Sequence, residues 1–328
     1  MLEAVAPTLS QIQAPIAVRL DRVVAEFRRI LITDFDGIAA INDYILQVRG
    51  KLFRPGILLL CNEVGSQRSP EAETLAAVIE LIHLATLVHD DAVDHSVLRR
   101  GMPTVNALWS HQVSIIMGDY LYSRSISELA RLGDIEPVRI LAQASNAMSV
   151  GEMRQLASCD ALDFSEAAYY QLIECKTASL ISAACELGSL VGDESLRAPL
   201  ALYGHQLGMA FQIADDLLDY TADKAVIGKP SGLDLREHKV TLPLLAALPE
   251  LSESERSRVD TFFATAEPSD VEIAAIIDLV TRYGGLDYAK QMAVDYARRA
   301  AEALDGLPEG PPLEALRSSI TYAVERRR

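Results

Sequence analysis

The sequence predicts an all-α fold, a large helical bundle whose central helices are buried. Apolar residues recur at helical spacings over long segments, as in EAETLAAVIELIHLATLVHDD, which contains neither Pro nor Gly. No segment shows the period-two alternation of a strand, and no Asn-Gly hairpin signal occurs. Several segments are apolar on most faces, which is typical of helices in the interior of a bundle.

The helical segments follow one another with recognisable ends. Long helices are predicted over residues 71–91, 105–133, 169–192 and 196–220. Gly133 and Gly192 are expected to stop two of them. Residues 221–243 form the clearest non-helical segment, because Gly and Pro recur there among polar residues. No repeat and no domain boundary is evident, so we expect one domain over residues 1–328.

Composition limits the classes of function. The chain has 328 residues, of which 50% are hydrophobic, and its formal net charge of -16 argues against a nucleic-acid partner. No apolar run reaches ~18 residues without a charge, and the N-terminus lacks a secretory pattern. The four cysteines show no CxxC spacing. We therefore expect no transmembrane segment, reduced thiols and a cytoplasmic protein.

The segment HLATLVHDDAVDHSVLRRG places like charges at the end of an apolar helix. Asp90 and Asp94 are four residues apart and share a helical face, and Asp91 lies three residues before Asp94. Such carboxylates repel one another, whereas Arg99 and Arg100 follow at once. Alone, this pattern fits a solvated helix end as well as it fits a binding site.

A second cluster with the same spacing changes that balance. FQIADDLLDY places Asp215, Asp216 and Asp219 at the end of another apolar helix. If the two helices face each other, their carboxylates line one cavity mouth, which bound cations would stabilise. Oxygen-only donors suit Mg2+, which prefers one or two carboxylates together with substrate phosphates. The two clusters predict a site that binds a diphosphate through magnesium ions.

Further side chains could bind anions nearby. They are Lys51, Arg54, His83, Lys176, Thr177, Gln212, Lys229 and Lys239. Each has an ordinary alternative role, since a lone histidine is more often a core residue and a loop lysine is usually solvated. Lys176 is the most informative, because a lysine within an apolar helix must snorkel or find an anion. Together these groups predict two anion pockets and two phosphorylated substrates.

The motifs also resemble a known family. GKLFRP, HLATLVHDDAVDHSVLRRG, GDYL, GEMRQL, KTASL, FQIADDLLDY and GKPSGLDLREHKVTLP occur in this order over residues 45–245. They are similar to motifs of the trans-type isoprenyl (polyprenyl) diphosphate synthases, most like the long-chain bacterial octaprenyl and nonaprenyl type. The resemblance implies an isoprenoid-synthase helical bundle around a central cavity and a homodimer. It also implies head-to-tail condensation of isopentenyl diphosphate with an allylic diphosphate, farnesyl or geranylgeranyl, with release of pyrophosphate.

The resemblance also implies a role for each motif residue. Three Mg2+ ions would accompany the allylic diphosphate, ligated by Asp90, Asp94 and Asp215 and supported by Asp91, Asp216 and Asp219. The allylic diphosphate would be held by Arg99, Lys176, Thr177, Gln212 and Lys229, with Lys239 nearby and Lys176 also neutralising the leaving group. Isopentenyl diphosphate would be held by Gly50, Lys51, Arg54, His83 and Arg100. Arg49 departs from the glycine common at that place in the family.

Product length is predicted from the helix that precedes Asp90. The growing chain must run between the helices, past Ile79, Ile82, Ala85 and Thr86, and none of these is aromatic. In the resembling family, long-chain producers carry small residues at the positions of Ala85 and Thr86. We therefore expect a C30 to C50 product, released with peripheral membrane contact. A floor could lie at Met148 or Met153, and a shorter farnesyl or geranylgeranyl product is the alternative.

Three other functions compete with this interpretation. A terpene cyclase shares the aspartate-rich helix end, but its second metal motif is usually of the NSE type and it lacks an isopentenyl pocket. A non-catalytic subunit of a heteromeric synthase typically loses aspartates or arginines that are present here. A helical calcium-binding bundle would need an EF-hand loop, and none occurs in this sequence.

Overall fold

The computed structural model describes residues 6–47, 50–65, 67–99, 101–158, 162, 164–221 and 232–325. These residues are almost entirely helical, so the predicted all-α class is confirmed. The first five helices are α1 (Leu9–Gln13), α2 (Ala17–Ile30), α3 (Asp36–Gln47), α4 (Phe53–Val64) and α5 (Glu71–Val93). Helix α5 matches the predicted segment and carries the first aspartate cluster at its C-terminal end.

The region after α5 differs from the prediction. Two antiparallel strands, β1 (Leu98–Arg99) and β2 (Met102–Pro103), pair there, although no strand was expected. Two-residue strands are too short to show an alternating pattern. The helix predicted over 105–133 is divided into α6 (Val105–Leu108) and α7 (His111–Leu132), because the Ser110 side chain accepts the backbone N–H of Val113 and begins a new helix. Gly133 ends α7 in the left-handed conformation, as predicted.

The central helices contain one irregular turn. Helix α8 (Ile135–Ser158) is followed by α9 (Glu166–Ile173), a π turn (Glu174–Ala178) and α10 (Ser179–Leu190). The prediction of one continuous helix over 169–192 is therefore wrong at the π turn. Helix α10 ends at Leu190 with Val191 as its C-cap, so the expected stop glycine, Gly192, lies directly after the cap.

The C-terminal third begins with α11 (Arg197–Thr221), which carries the second aspartate cluster. The segment predicted to be non-helical contains a short helix, α12 (Leu233–Arg236), and the start of α13 (Leu242–Ala247), where Pro243 fits the first turn. The remaining helices are α14 (Glu253–Phe263), α15 (Asp270–Arg282), α16 (Gly285–Glu302) and α17 (Pro311–Glu325).

Helices α4 and α5 form the centre of the larger of two apolar cores. Leu58, Leu59 and Leu60 are consecutive and all 0% exposed, so α4 is surrounded on every side. A second core gathers α13 to α16 against the later part of α11. Within the described ranges, α5 alone is long and apolar enough to cross a membrane, and 72% of its most apolar window is buried inside the fold. Such burial is typical of a core helix.

Candidate active site

The first aspartate cluster occupies the last turn of α5 and its cap. Asp94 is the C-cap residue and is exposed, whereas Asp90 is half-buried and Asp91 is buried. Arg99 Nε, on β1, donates to Asp91 Oδ1 at 2.8 Å. The strand pair therefore turns the chain back so that a cation covers the inner aspartate. Burial raises the pKa of Asp91, and Arg99 opposes that effect.

Asp90 lies in an environment that disfavours its charge. Burial raises the pKa of Asp90 to about 6, and the nearby charges of Glu152 and Asp94 add to that effect. Lys176 and Arg99 act in the opposite direction without reversing it. An aspartate of this kind gains from additional positive charge, so the cluster favours a bound cation.

The π turn brings Lys176 and Thr177 between the two clusters. Lys176 Nζ lies 2.6 Å from Glu152 Oε2 and donates to Gln155 Oε1 at 2.8 Å, both on α8. Thr177 Oγ1 donates to Gln212 Oε1 on α11 at 2.7 Å. Lys176 and Thr177 are adjacent in the chain, yet one contacts α8 and the other contacts α11. π turns inside helices are rare and occur frequently at functional sites.

Two glycines allow the neighbouring helices to approach the π turn. A Cβ added at Gly151 of α8 would lie 3.0 Å from the backbone nitrogen of Lys176. A Cβ added at Gly208 of α11 would lie 2.5 Å from the Cα of Ala178. Larger residues at these positions would force the helices and the π turn apart, so the glycines set the width of the site.

The second cluster contains three aspartates in different environments. Asp215 is half-buried on α11. Asp216 is buried, and both its oxygens accept hydrogen bonds, Oδ1 from Gln212 Nε2 at 2.7 Å and Oδ2 from the Tyr169 hydroxyl at 2.6 Å. Asp219 accepts the backbone N–H groups of Leu233 and Asp234 at 3.1 and 3.0 Å, which fixes the start of α12.

Carboxylates are crowded around this cluster. Burial raises the pKa of Asp216 to about 7, against the effect of its two hydrogen bonds and with the support of Asp215 and Asp219. Burial, Asp216 and Asp219 also hold the pKa of Asp234 well above its usual range. Lys239 lies beside this group with Nζ 2.6 Å from Glu237 Oε2. Burial opposes the charge of Lys239, but Glu237, Asp234 and Asp94 raise its pKa.

A cavity of about 220 Å³ beside the first cluster collects several predicted substrate residues. Gly50, His83, Asp91 and Arg99 line it together. Arg99, which the resemblance assigns to the allylic diphosphate, therefore shares a cavity with Gly50 and His83, which it assigns to isopentenyl diphosphate. Glu80 on α5 is 3% exposed and lines the same cavity.

The segment that precedes α4 borders this region. Lys51 is exposed and Arg54 is half-buried in the first turn of α4. Gln13 Nε2 donates to the carbonyls of Lys51 and Leu52 at 3.0 and 3.2 Å, and Leu52 has a φ of 53°. A non-glycine residue in that conformation is held by its surroundings, here by the α1 amide.

A second cavity of about 390 Å³ lies between α5, α7 and α8. Ile82, Ala85 and Thr86 line it from α5, and Met148 lines it from α8. Ile79 is fully buried and is not part of the lining. Met153, the other suggested floor, is 67% exposed, so its side chain faces away from the interior.

Arg100 and Lys229 lie outside the described residues. Within the described ranges, no group of three or more His, Cys, Asp or Glu side chains converges closely enough to hold a metal ion alone. Mg2+ takes one or two carboxylates from a protein and completes its shell with water and phosphate oxygens. The clusters supply the oxygen donors that such an ion requires.

Several residues with direct contacts to predicted site residues were not themselves predicted from the sequence. They include Glu152, Gln155, Tyr169 and Asp234. The first two belong to GEMRQL and Asp234 to GKPSGLDLREHKVTLP, so the motifs contained a signal for them. Tyr169 lies outside every motif, and only its hydrogen bond to Asp216 identifies it.

Comparisons with known proteins agree with this geometry. The family model for polyprenyl synthetase matches residues 36–280. An all-trans-nonaprenyl-diphosphate synthase (geranyl-diphosphate specific) from Rhodobacter capsulatus is 37% identical over 291 residues, 88% of this chain and 89% of that protein. A short chain isoprenyl diphosphate synthase from Methanothermobacter thermautotrophicus is 35% identical over 87% of this chain and 89% of its own length. The crystal structure of a Caulobacter crescentus polyprenyl synthase, complexed with calcium and isoprenyl diphosphate, superposes with a TM-score of 0.92 at 31% identity, covering 99% of this chain and 100% of that one.

Proposed function

Because the chain belongs to the polyprenyl synthetase family, we propose that it is a trans-prenyltransferase. It joins isopentenyl diphosphate head-to-tail to an allylic diphosphate, releases pyrophosphate and builds an all-trans polyprenyl diphosphate of C30 to C50. The observation that carries this proposal is the π turn, where Lys176 acts on Asp90 while Thr177 bonds to Gln212 beside the second cluster. A diphosphate between the clusters would contact groups from both.

The first cluster, the second cluster and the cations have distinct roles in this proposal. Asp90, Asp94 and Asp215 would hold Mg2+, which would supply positive charge beside the departing diphosphate. Lys176 exchanges its contacts with Glu152 and Gln155 for diphosphate oxygens. Arg99, Thr177, Gln212 and Lys239 complete the allylic site, and Lys229 joins them as the family resemblance implies.

The isopentenyl substrate occupies the cavity next to the first cluster. Gly50 and His83 line that cavity, and Lys51 and Arg54 follow Gly50 in the chain. We assign Arg100 to the same substrate on the family resemblance. Arg99 lines this cavity and its charge acts on Asp90, so its guanidinium would reduce the repulsion between the two diphosphates. Fixing both reactants in this way lowers the entropic barrier to their reaction.

The bond-forming step needs an apolar environment below the diphosphates. As the allylic C–O bond breaks, the cationic groups stabilise charge on the departing pyrophosphate. The allylic carbon is then attacked by the double bond of isopentenyl diphosphate. Loss of a proton to the released pyrophosphate restores the double bond, so no side-chain base is required. The growing chain enters the cavity lined by Ile82, Ala85, Thr86 and Met148, with Ile79 deeper along α5.

The family also suggests a domain organisation, an oligomeric state, a location and a starter substrate for this enzyme. We propose one catalytic domain over residues 1–328, a homodimer, and a cytoplasmic location with peripheral membrane contact during product release. Farnesyl or geranylgeranyl diphosphate is the proposed starter. Cys61, Cys175 and Cys185 are free thiols, which suits a reducing compartment.

The decisive experiment is incorporation of labelled isopentenyl diphosphate by the purified chain with farnesyl diphosphate. We expect turnover with Mg2+ (or Mn2+) and none with a chelator. Consumption of the allylic diphosphate without incorporation would favour a cyclase. No reaction of the chain alone, with activity restored by a second protein, would favour a subunit of a heteromeric synthase.

A further inference from the structure

A buried tyrosine reaches the second aspartate cluster from another helix. Tyr169 lies on α9, is 1% exposed, and donates its hydroxyl to Asp216 Oδ2 at 2.6 Å. Asp216 itself is 6% exposed. A buried carboxylate oxygen that lost this donor would have little access to water, so the contact constrains the position of the carboxylate.

The hydrogen bond is the first of three in a row. Asp216 Oδ1 accepts from Gln212 Nε2 at 2.7 Å, and Gln212 Oε1 accepts from Thr177 Oγ1 at 2.7 Å. The NH2 group of Gln212 faces Asp216, and its carbonyl oxygen faces Thr177. The position of Asp216 therefore sets the orientation of the Gln212 side chain and, through it, that of the Thr177 hydroxyl.

Asp216 has no oxygen left without a protein donor. Its two oxygens already accept from Gln212 and Tyr169, whereas Asp215 on the preceding position is half-buried at the site. The middle aspartate of this cluster thus serves as a fixed acceptor between two helices. The Tyr169 hydroxyl holds Asp216 from α9, and the Gln212 side chain holds it from one turn earlier on α11.

We propose that Tyr169 is a positioning residue for the allylic diphosphate: its hydroxyl fixes Asp216, which orients Gln212 and, through it, Thr177. This inference rests on the proposed function, since it assigns Thr177 and Gln212 to the diphosphate site. Tyr169 itself does not touch substrate. Its loss should weaken binding of the allylic substrate selectively, because Gly50 and His83, which are assigned to isopentenyl diphosphate, line the cavity beside Asp91 and Arg99, and no member of this row lines that cavity.

The neighbouring residue provides a matched control. Tyr170 lies on the same helix, and its hydroxyl donates to Glu166 Oε1 at 3.0 Å. Glu166 is the first residue of α9 and does not belong to the row that ends at Thr177. Replacing either tyrosine by phenylalanine removes one hydroxyl and keeps the ring.

The test compares Tyr169→Phe with Tyr170→Phe. Steady-state kinetics give the KM for farnesyl diphosphate and for isopentenyl diphosphate, and calorimetry gives the Kd for the unreactive farnesyl thiodiphosphate with Mg2+. For Tyr169→Phe we expect the farnesyl KM and the thiodiphosphate Kd to rise roughly tenfold, as for loss of one hydrogen bond to a charged group. The isopentenyl KM should stay within about twofold, and Tyr170→Phe should match the wild type in all three values.

A second pair of variants separates positioning from general loosening of the fold. Asp216→Asn replaces one acceptor by a donor and should reproduce the selective loss. In Thr177→Val the last member of the row is absent, so adding Tyr169→Phe should weaken thiodiphosphate binding much less than it does in the wild type. Equal changes in both KM values, no change in either, or fully additive losses in the double variant would overturn the proposal. If the wild type incorporates no isopentenyl diphosphate, the proposed function itself fails.

Discussion

Asp90 lies in an environment that disfavours the charged form of its side chain. Its carboxyl lies at the end of an apolar helix, near two other acids and two cations, and its pKa is raised to about 6. The residue is therefore unfavourable to the folded protein when it is ionised without a partner. Retaining it at that position is consistent with a site completed by metal and diphosphate.

The first prediction concerns the stability of the metal-free protein. The folded state binds the Asp90 proton more tightly than the unfolded chain, so the free energy of unfolding falls as pH rises from about 4 to about 6. The Asp90→Asn variant has no ionisable group at this position, so it does not undergo this fall in unfolding free energy. In chelator at pH 8 the variant should be more stable than the wild type, by up to about 3 kcal/mol for a pKa of about 6. Urea unfolding at pH 4 and pH 8 measures this, and equal stability differences at the two pH values would contradict it.

The second prediction concerns turnover. Asp90→Ala and Asp215→Ala should each lower kcat by about 100-fold or more, because each removes a carboxylate from the proposed metal-binding site. The fold should survive, since removing one acid from a crowded cluster relieves repulsion. Circular dichroism checks the fold and isopentenyl incorporation checks the rate. Near-wild-type turnover of Asp90→Ala with chelator present would refute the metal assignment.

Sequence spacing was sufficient to find the acidic residues but not their individual roles. Asp90, Asp91 and Asp94 lie where the pattern places them. The supporting role of Asp219 at a metal stays a prediction, and its carboxylate also accepts the backbone N–H groups of Leu233 and Asp234. Such contacts join residues far apart in sequence, and no local pattern specifies them.

At the scale of elements, the π turn is the feature that assembles the site. It interrupts α9 and α10 and directs Lys176 to α8 and Thr177 to α11. Composition did not reveal it, because ECKTA has no residue that a regular helix would reject. Its geometry depends instead on the close approach of flanking helices at Gly151 and Gly208.

The third prediction tests that dependence. Gly208→Ala should displace the π turn, because the new Cβ would lie 2.5 Å from the Cα of Ala178. We expect a loss of about 1–3 kcal/mol in unfolding free energy and at least tenfold lower turnover. Gly56→Ala is the matched control, since its Cβ would meet side-chain atoms only at 3.4 Å and beyond. If both variants behave alike in urea unfolding and turnover, packing at Gly208 does not set the turn.

The fourth prediction concerns the cavity between α5, α7 and α8. Ala85→Phe places an aromatic ring among its lining residues, below Asp90, and should shorten the main product to C15 or C20 without abolishing catalysis. Chromatography of the labelled products measures their length. An unchanged product distribution would show that the chain does not grow through this cavity.

Long uniform helices were predicted more reliably than their interruptions. Helices α5 and α11 match the predicted segments within one or two residues, because long apolar periodicity dominates there. The break at Trp109–Ser110 was missed, since a serine cap within an otherwise helical pattern is a weak signal. The strand pair around Gly101 was missed because its strands have two residues each.

At the scale of the whole molecule, the fold keeps charge and apolar surface in separate layers. The two aspartate clusters lie at the ends of α5 and α11, whereas most residues of α4 and α5 are buried in the larger core. The formal net charge of -16 does not exclude anionic substrates, because a local group of cations such as Arg99, Lys176 and Lys239 is sufficient to bind them. The bundle class was predictable from periodicity, whereas the meeting of the two clusters depends on tertiary packing.

The fifth prediction addresses the central claim, that this chain elongates an allylic diphosphate to a long polyprenyl product. Purified protein is incubated with Mg2+, labelled isopentenyl diphosphate and farnesyl or geranylgeranyl diphosphate, and the dephosphorylated products are separated by length. We predict main products between C30 and C50, because small residues open the cavity below Asp90. A wild-type enzyme that incorporates no isopentenyl units, or that stops at C15 or C20 with excess substrate, would contradict the account.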